Sequence, residues 1–130
     1  MAQHDKWERI KALKVSFITE RIDLTEKEAQ QFWPVYNEYE NKINKIRYRE
    51  IKSIRREIRD NIETLTDERA KALLNALNDA ENKLHALEAE FPKKLSGIIS
   101  SKKIILLKIA EDDFKRKMLE EFKRRKKEKG

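Results

Sequence analysis

The sequence predicts an all-α protein, four helices in an elongated bundle or cradle built on a long antiparallel helical hairpin. Three observations carry that expectation. The 130 residues include only two glycines and two prolines, too few for the turns of a sheet. Charged residues make up 42% and hydrophobic ones 38%, a mixture that suits long amphipathic helices around a thin core. Apolar positions recur at steps of three and four along most of the chain. The length fits one domain, residues 1–130.

The first helix is expected near residues 6–22, where Trp7, Ile10, Leu13 and Phe17 fall on one face and Val15 and Ile18 widen it. Asp23 and Leu24 interrupt it. Thr25 followed by Glu28 is a capping box, each side chain satisfying the other residue's backbone N–H, so a second helix opens there. Its apolar stripe runs Phe32, Tyr36, Tyr39, Ile43, Ile46, Ile51, Ile54, Ile58 and Ile62. The helix is expected over 25–62, about 50 Å long, with a kink near Pro34, which removes one hydrogen bond and crowds the carbonyl four residues back.

Leu65-Thr66-Asp67-Glu68 repeats the pattern of a leucine, a capping threonine and first-turn acids, and starts a third helix over 66–96. Its stripe is Ala70, Leu73, Leu74, Leu77, Leu84, Leu87 and Phe91, with Ala80 between and Pro92 and Gly97 near the end. Ser100 or Ser101 caps a fourth helix over 101–124, carrying Ile104, Leu107, Phe114, Met118 and Phe122. A basic tail, 123–130, is expected to fray. The short connections after Ile22 and Ile62 favour antiparallel neighbours, so helices two and three form the hairpin.

Charge is concentrated. The formal net charge is +7. Residues 42–59 hold eight Lys or Arg against two Glu, residues 115–130 nine against three, and the remainder is net acidic. There are no cysteines, which excludes a disulfide scaffold and a thiolate zinc site. Apolar runs such as Ile104 to Leu107 are too short to span a bilayer, and the first residues lack the apolar core of a secretory signal. An exported protein is therefore expected only if a signal peptide has been removed, and a cytoplasmic one if the chain is complete as given.

Several segments resemble a known family. Ile18-Thr19-Glu20-Arg21-Ile22-Asp23-Leu24-Thr25-Glu26-Lys27-Glu28-Ala29-Gln30, then Phe32-Trp33-Pro34-Val35-Tyr36-Asn37-Glu38-Tyr39, then Leu65-Thr66, are similar to the small helical periplasmic proteins of the Spy and CpxP type. They resemble in particular the Bacteroidetes branch labelled sensor of an ECF-type sigma factor, which the closing Ala110-Glu111-Asp112-Asp113-Phe114 and the basic residues beyond it also fit. The resemblance covers nearly the whole chain. It implies two Leu-Thr-x-x-Gln motifs that open helices, a four-helix cradle that dimerises, and ATP-independent binding of unfolded or stress-damaged proteins, or a regulatory contact in an envelope-stress circuit. Leu24, Thr25, Leu65 and Thr66 match the motifs, whereas Glu28 and Arg69 stand where the family has glutamine.

The residues themselves point to binding rather than catalysis. Lys42, Lys45, Arg47, Arg49, Lys52, Arg55, Arg56 and Arg59 form a basic stretch of helix two suited to an acidic or unfolded client, with some of its charges expected to pair with Glu81, Glu88 or Glu90 across the hairpin. Trp33, Tyr36 and Tyr39 are read either as core or as a client or dimer patch, and Trp7 as an interface residue. The tail from Lys123 to Lys129 suits nucleic acid or an anionic membrane surface, which keeps a basic nucleic-acid-binding protein, or a helical adaptor with one dedicated partner, as alternatives. No catalytic constellation, cofactor motif or phosphate-binding loop is present in the sequence. His4 and His85 lack the Glu-x-x-His spacing of a bundle metal site, and Glu111, Asp112 and Asp113 are read as salt-bridge partners for the basic hairpin.

Overall fold

The computed structural model describes the backbone of residues 2–129 and the side chains of residues 8–128. All regular structure among them is helical: α1 (Ala2–Ile22), α2 (Glu26–Asn44), a π-helical segment (Lys45–Ile51), α3 (Lys52–Asp60), α4 (Asp67–Leu95) and α5 (Ser101–Lys129). Since α2, the π segment and α3 are one continuous rod, these are the four expected helices. Contacts gather into two compact units, one of residues 1–29 and 99–130, the other of residues 30–98.

In the first unit α1 and α5 run antiparallel: Lys14 lies beside Glu111 and the Asp23 carbonyl beside Lys103. Ile18 and Ile22 of α1, Leu107, Ala110 and Phe114 of α5, and Ile99 just before α5 are buried. Phe17 meets Phe114 at 5.6 Å between ring centroids. The Arg21 guanidinium lies over Phe17 at 4.6 Å while donating to Asp113 at 2.9 Å, so one arginine serves a ring and a carboxylate. The buried side of α1 is not quite the expected one: Leu13 is 55% exposed, because the face toward α5 runs through Lys14, Ile18 and Ile22 at helical steps of four. The side chain of Trp7 lies outside the described residues.

Helix α1 ends at Asp23, which takes a left-handed conformation (φ 47°). Glycine is the usual residue at such a helix end, and aspartate is among the few others that tolerate it. Helix α5 starts where Ser100 Oγ accepts from the Lys103 N–H, and it runs to Lys129, beyond the end expected near residue 124. The basic run consists of Lys, Arg and Glu, good helix formers, and Arg124 pairs with Glu121 one turn back.

In the second unit the rod from Gln30 to Asp60 packs antiparallel on α4, its partners advancing along one helix as they recede along the other: Arg47–Glu88, Glu50–Lys83 and Glu57–Arg69. The buried residues are Phe32, Tyr36, Ile43, Ile46 and Ile51 from the rod, and Leu73, Ala80, Phe91 and Leu95 from α4. Helix α2 is uninterrupted through Pro34, the position near which the sequence predicts a kink. Pro34 and Gln30 are both exposed, so water can satisfy the carbonyl that loses its donor.

The irregularity instead sits at Lys45–Ile51, and the reason is a step of five in the apolar stripe. An α-helix would turn Ile51 about 140° away from Ile46. The wider π turn brings both onto the side of α4, where they pack around Ala80 with Leu77, Leu84 and Leu87. The rod ends at Asp60 rather than Ile62: the Asn61 side chain donates to the Glu57 carbonyl at 2.9 Å, and Ile62 is 63% exposed.

Candidate functional site

The basic stretch of the rod divides into paired and unpaired residues. Lys42 reaches Glu38 one turn back at 3.1 Å, and Arg47 reaches Glu88 across the hairpin at 3.8 Å. Lys45, Arg49, Lys52, Arg55, Arg56 and Arg59 are exposed and make no ion pair with another described residue. Lys52, Arg55, Arg56 and Arg59 stand at i, i+3, i+4 and i+7 of α3, which places them on a single face. The opposite side carries Ile54, Glu57 and Ile58, all half-buried toward α4. Of the acidic residues expected to neutralise this stretch, only Glu88 does so among the described residues. Glu57 instead receives a bidentate pair from Arg69, Nε at 2.8 Å and Nη2 at 3.0 Å, which ties α3 to the start of α4 and leaves the outer face uncompensated.

The aromatic residues sit deeper than the cations. Tyr36 is 2% exposed and donates its hydroxyl to Glu40 at 2.7 Å, so it belongs to the core rather than to a binding patch. Phe32 and Trp33 meet edge to face at 4.9 Å, and Trp33 meets Tyr36 at 5.6 Å. Tyr39 lies flat on Phe91 at 3.8 Å, half-buried. Between α2 and α4 this pair, with Val35 and Leu87, floors an open groove of about 80 Å³ whose rim is Glu38, Lys42, Glu90 and Lys94. The groove therefore combines a small apolar floor with charges of both signs.

The motif residues are helix caps. Thr25 and Glu28 make the full box: Thr25 Oγ1 accepts from the Glu28 N–H at 3.1 Å, and Glu28 Oε1 accepts from the Thr25 N–H at 2.9 Å. Thr66 caps α4 through the Arg69 N–H at 3.1 Å, with no carboxylate to return the bond. Leu24 and Leu65 are half-buried.

One residue without any local sequence signal completes the first cap. Lys103 Nζ donates to Glu28 Oε1 at 2.7 Å and to the Asp23 carbonyl at 2.9 Å, across 75 and 80 residues of chain. A single ammonium thus serves the C-terminus of α1 and the capping box of α2. The Glu28 carboxyl is held below its ordinary value, chiefly by the Lys103 hydrogen bond, then by the Thr25 N–H, with partial burial opposing them.

The acidic residues of α5 do not serve the hairpin as expected. Glu111 lies 4.0 Å from Lys14, and Asp113 pairs with Arg21, both on α1, while Asp112 is exposed. His85 is exposed on α4. Among the described residues no three His, Cys, Asp or Glu gather as a metal site, and no helix is long and apolar enough to cross a membrane. No family model, curated protein or solved structure matches the chain.

Proposed function

We propose that this chain is a non-enzymatic, ATP-independent binding protein of the Spy and CpxP kind, which receives acidic or unfolded protein segments on the basic outer face of its hairpin. The observation that carries the reading is the row Lys52, Arg55, Arg56 and Arg59, four exposed cations on one face of α3 with no ion pair to another described residue. Uncompensated like charges repel one another and the folded state gains nothing from holding them together, whereas an anionic partner is drawn to them. The groove at Tyr39 and Phe91 supplies an apolar floor in the same unit for a client side chain. The proposed setting is the periplasm, as a homodimer, where the protein acts as a stress chaperone or as the sensing part of an envelope-stress circuit.

The test is suppression of aggregation of a denatured acidic model protein, at low and moderate salt. Protection at stoichiometric amounts is expected, weakened by salt and by the fourfold variant K52Q/R55Q/R56Q/R59Q. Absence of protection at every salt concentration sinks the chaperone reading. Tight binding of duplex DNA with a steep salt dependence, lost on neutralising Lys123 to Lys127, supports the nucleic-acid alternative instead.

A further inference from the structure

The side of α5 that faces away from α1 carries large apolar residues that the first unit leaves uncovered. Ile105 is 60% exposed, Ile109 49% and Leu119 54%. At helical spacing these three lie along one line, opposite the buried Leu107, Ala110 and Phe114. The line is set among cations: Lys102 and Lys108 near its start, Arg116 within it, and Lys123, Lys126 and Lys127 beyond its end, all exposed. Only Asp112 and Glu120 oppose them on this side. None of the six cations makes an ion pair with another described residue.

We propose that this face of α5 docks on an anionic lipid surface, lying in the interface plane with Ile105, Ile109 and Leu119 among the acyl chains and the cations at the headgroups. Phosphate neutralisation alone gives exposed aliphatic side chains no place to go, so the branched residues within the stripe set it apart from a nucleic-acid contact. A second copy of the same face brings six cations against six, which opposes self-pairing. The stripe is also a convex ridge on one helix. A flat surface engages both flanks at once, because lysine stems lie along apolar surface while their ammonium groups reach outward.

The experiment is co-sedimentation of the full chain with vesicles of phosphatidylcholine alone and of phosphatidylcholine mixed with phosphatidylglycerol. Binding to the mixed vesicles only is expected. The variant I105S/I109S/L119S should lose at least about tenfold in partitioning, since each methylene withdrawn from the bilayer weakens binding severalfold. The substituted side chains are already exposed, so helix content by circular dichroism should be unchanged. Equal binding of the variant and the wild type would reduce the contact to nonspecific charge and overturn the proposal. So would absence of binding, or association of the protein with itself through this face in the absence of lipid. The K52Q/R55Q/R56Q/R59Q variant should keep its vesicle binding, and the α5 variant its aggregation suppression, so either function can fail without the other.

Discussion

Deleting Arg49 should leave the hairpin folded, whereas deleting Ser53 a few residues on should damage it. Each deletion in a regular α-helix rotates everything beyond it by about 100°. Ser53 lies in α-helical geometry, so its loss swings Ile54, Glu57 and Ile58 away from α4. Two half-buried isoleucines then lose about half of the 1.5–3 kcal/mol that full burial of each provides, and the exposed Glu57–Arg69 pair adds up to about 1 kcal/mol. The expected cost is about 1.5–4 kcal/mol. Arg49 lies inside the π segment, which holds one residue more than an α-helix needs between Ile46 and Ile51. Its removal lets that stretch relax to α geometry with both isoleucines still facing Ala80, so stability should stay within about 1 kcal/mol of the wild type. Urea unfolding followed by far-ultraviolet circular dichroism measures both. If the Arg49 deletion costs as much as the Ser53 deletion, the π turn is not there to correct the phase of the stripe, and the reasoning fails.

Three further outcomes follow from named contacts. Replacing Leu107, 1% exposed in the thin core between α1 and α5, by alanine should cost about 2–5 kcal/mol in urea unfolding; a loss near zero would mean that the α1–α5 packing is not the core it resembles. The T66A variant should lose about 1 kcal/mol, the usual worth of a threonine cap, and T66S much less. Because the Glu28 carboxyl titrates below its ordinary value, the unfolded chain binds the extra proton first: its stabilisation is complete above the ordinary carboxylate range and is lost as pH falls through the lowered folded value. The unfolding midpoint of the wild type should therefore fall across that range more steeply than that of E28Q or K103M, and identical profiles would dismiss the Lys103 contact.

The legible parts of the fold were those decided within a few residues. Thr25 with Glu28 and Thr66 with its first-turn acids announced two helix starts, and both caps form. The step of five between Ile46 and Ile51 was also in plain view as a signal for a π turn, but an apolar stripe read at threes and fours passes over it. Pro34, the more conspicuous residue, is exposed and leaves the helix uninterrupted. Leu13, Leu74 and Phe122 fit the expected apolar faces and yet are exposed, because periodicity fixes a helix's amphipathic side only to within a residue or so, and the neighbouring helix decides the rest. The basic stretch was visible as composition. Its division into two paired cations and six unpaired ones was not, since pairing depends on where α4 places Glu88 and on Glu57 being taken by Arg69. Lys103 lay beyond any local pattern, for its partners are remote in sequence.

The first unit is assembled from the two ends of the chain, with the whole of residues 30–98 between them, while the core of the second is contiguous. During synthesis the second unit's core residues leave the ribosome together and close over short loops. Helix α1 leaves the ribosome ahead of the second unit but waits longer: the carbonyl of Asp23 at its end has no Lys103, and Phe17 no Phe114, until α5 has been made. For that interval Phe17 lacks the ring it packs against, so a protein proposed to shield the exposed apolar segments of others passes through a stage in which it presents an apolar side chain of its own.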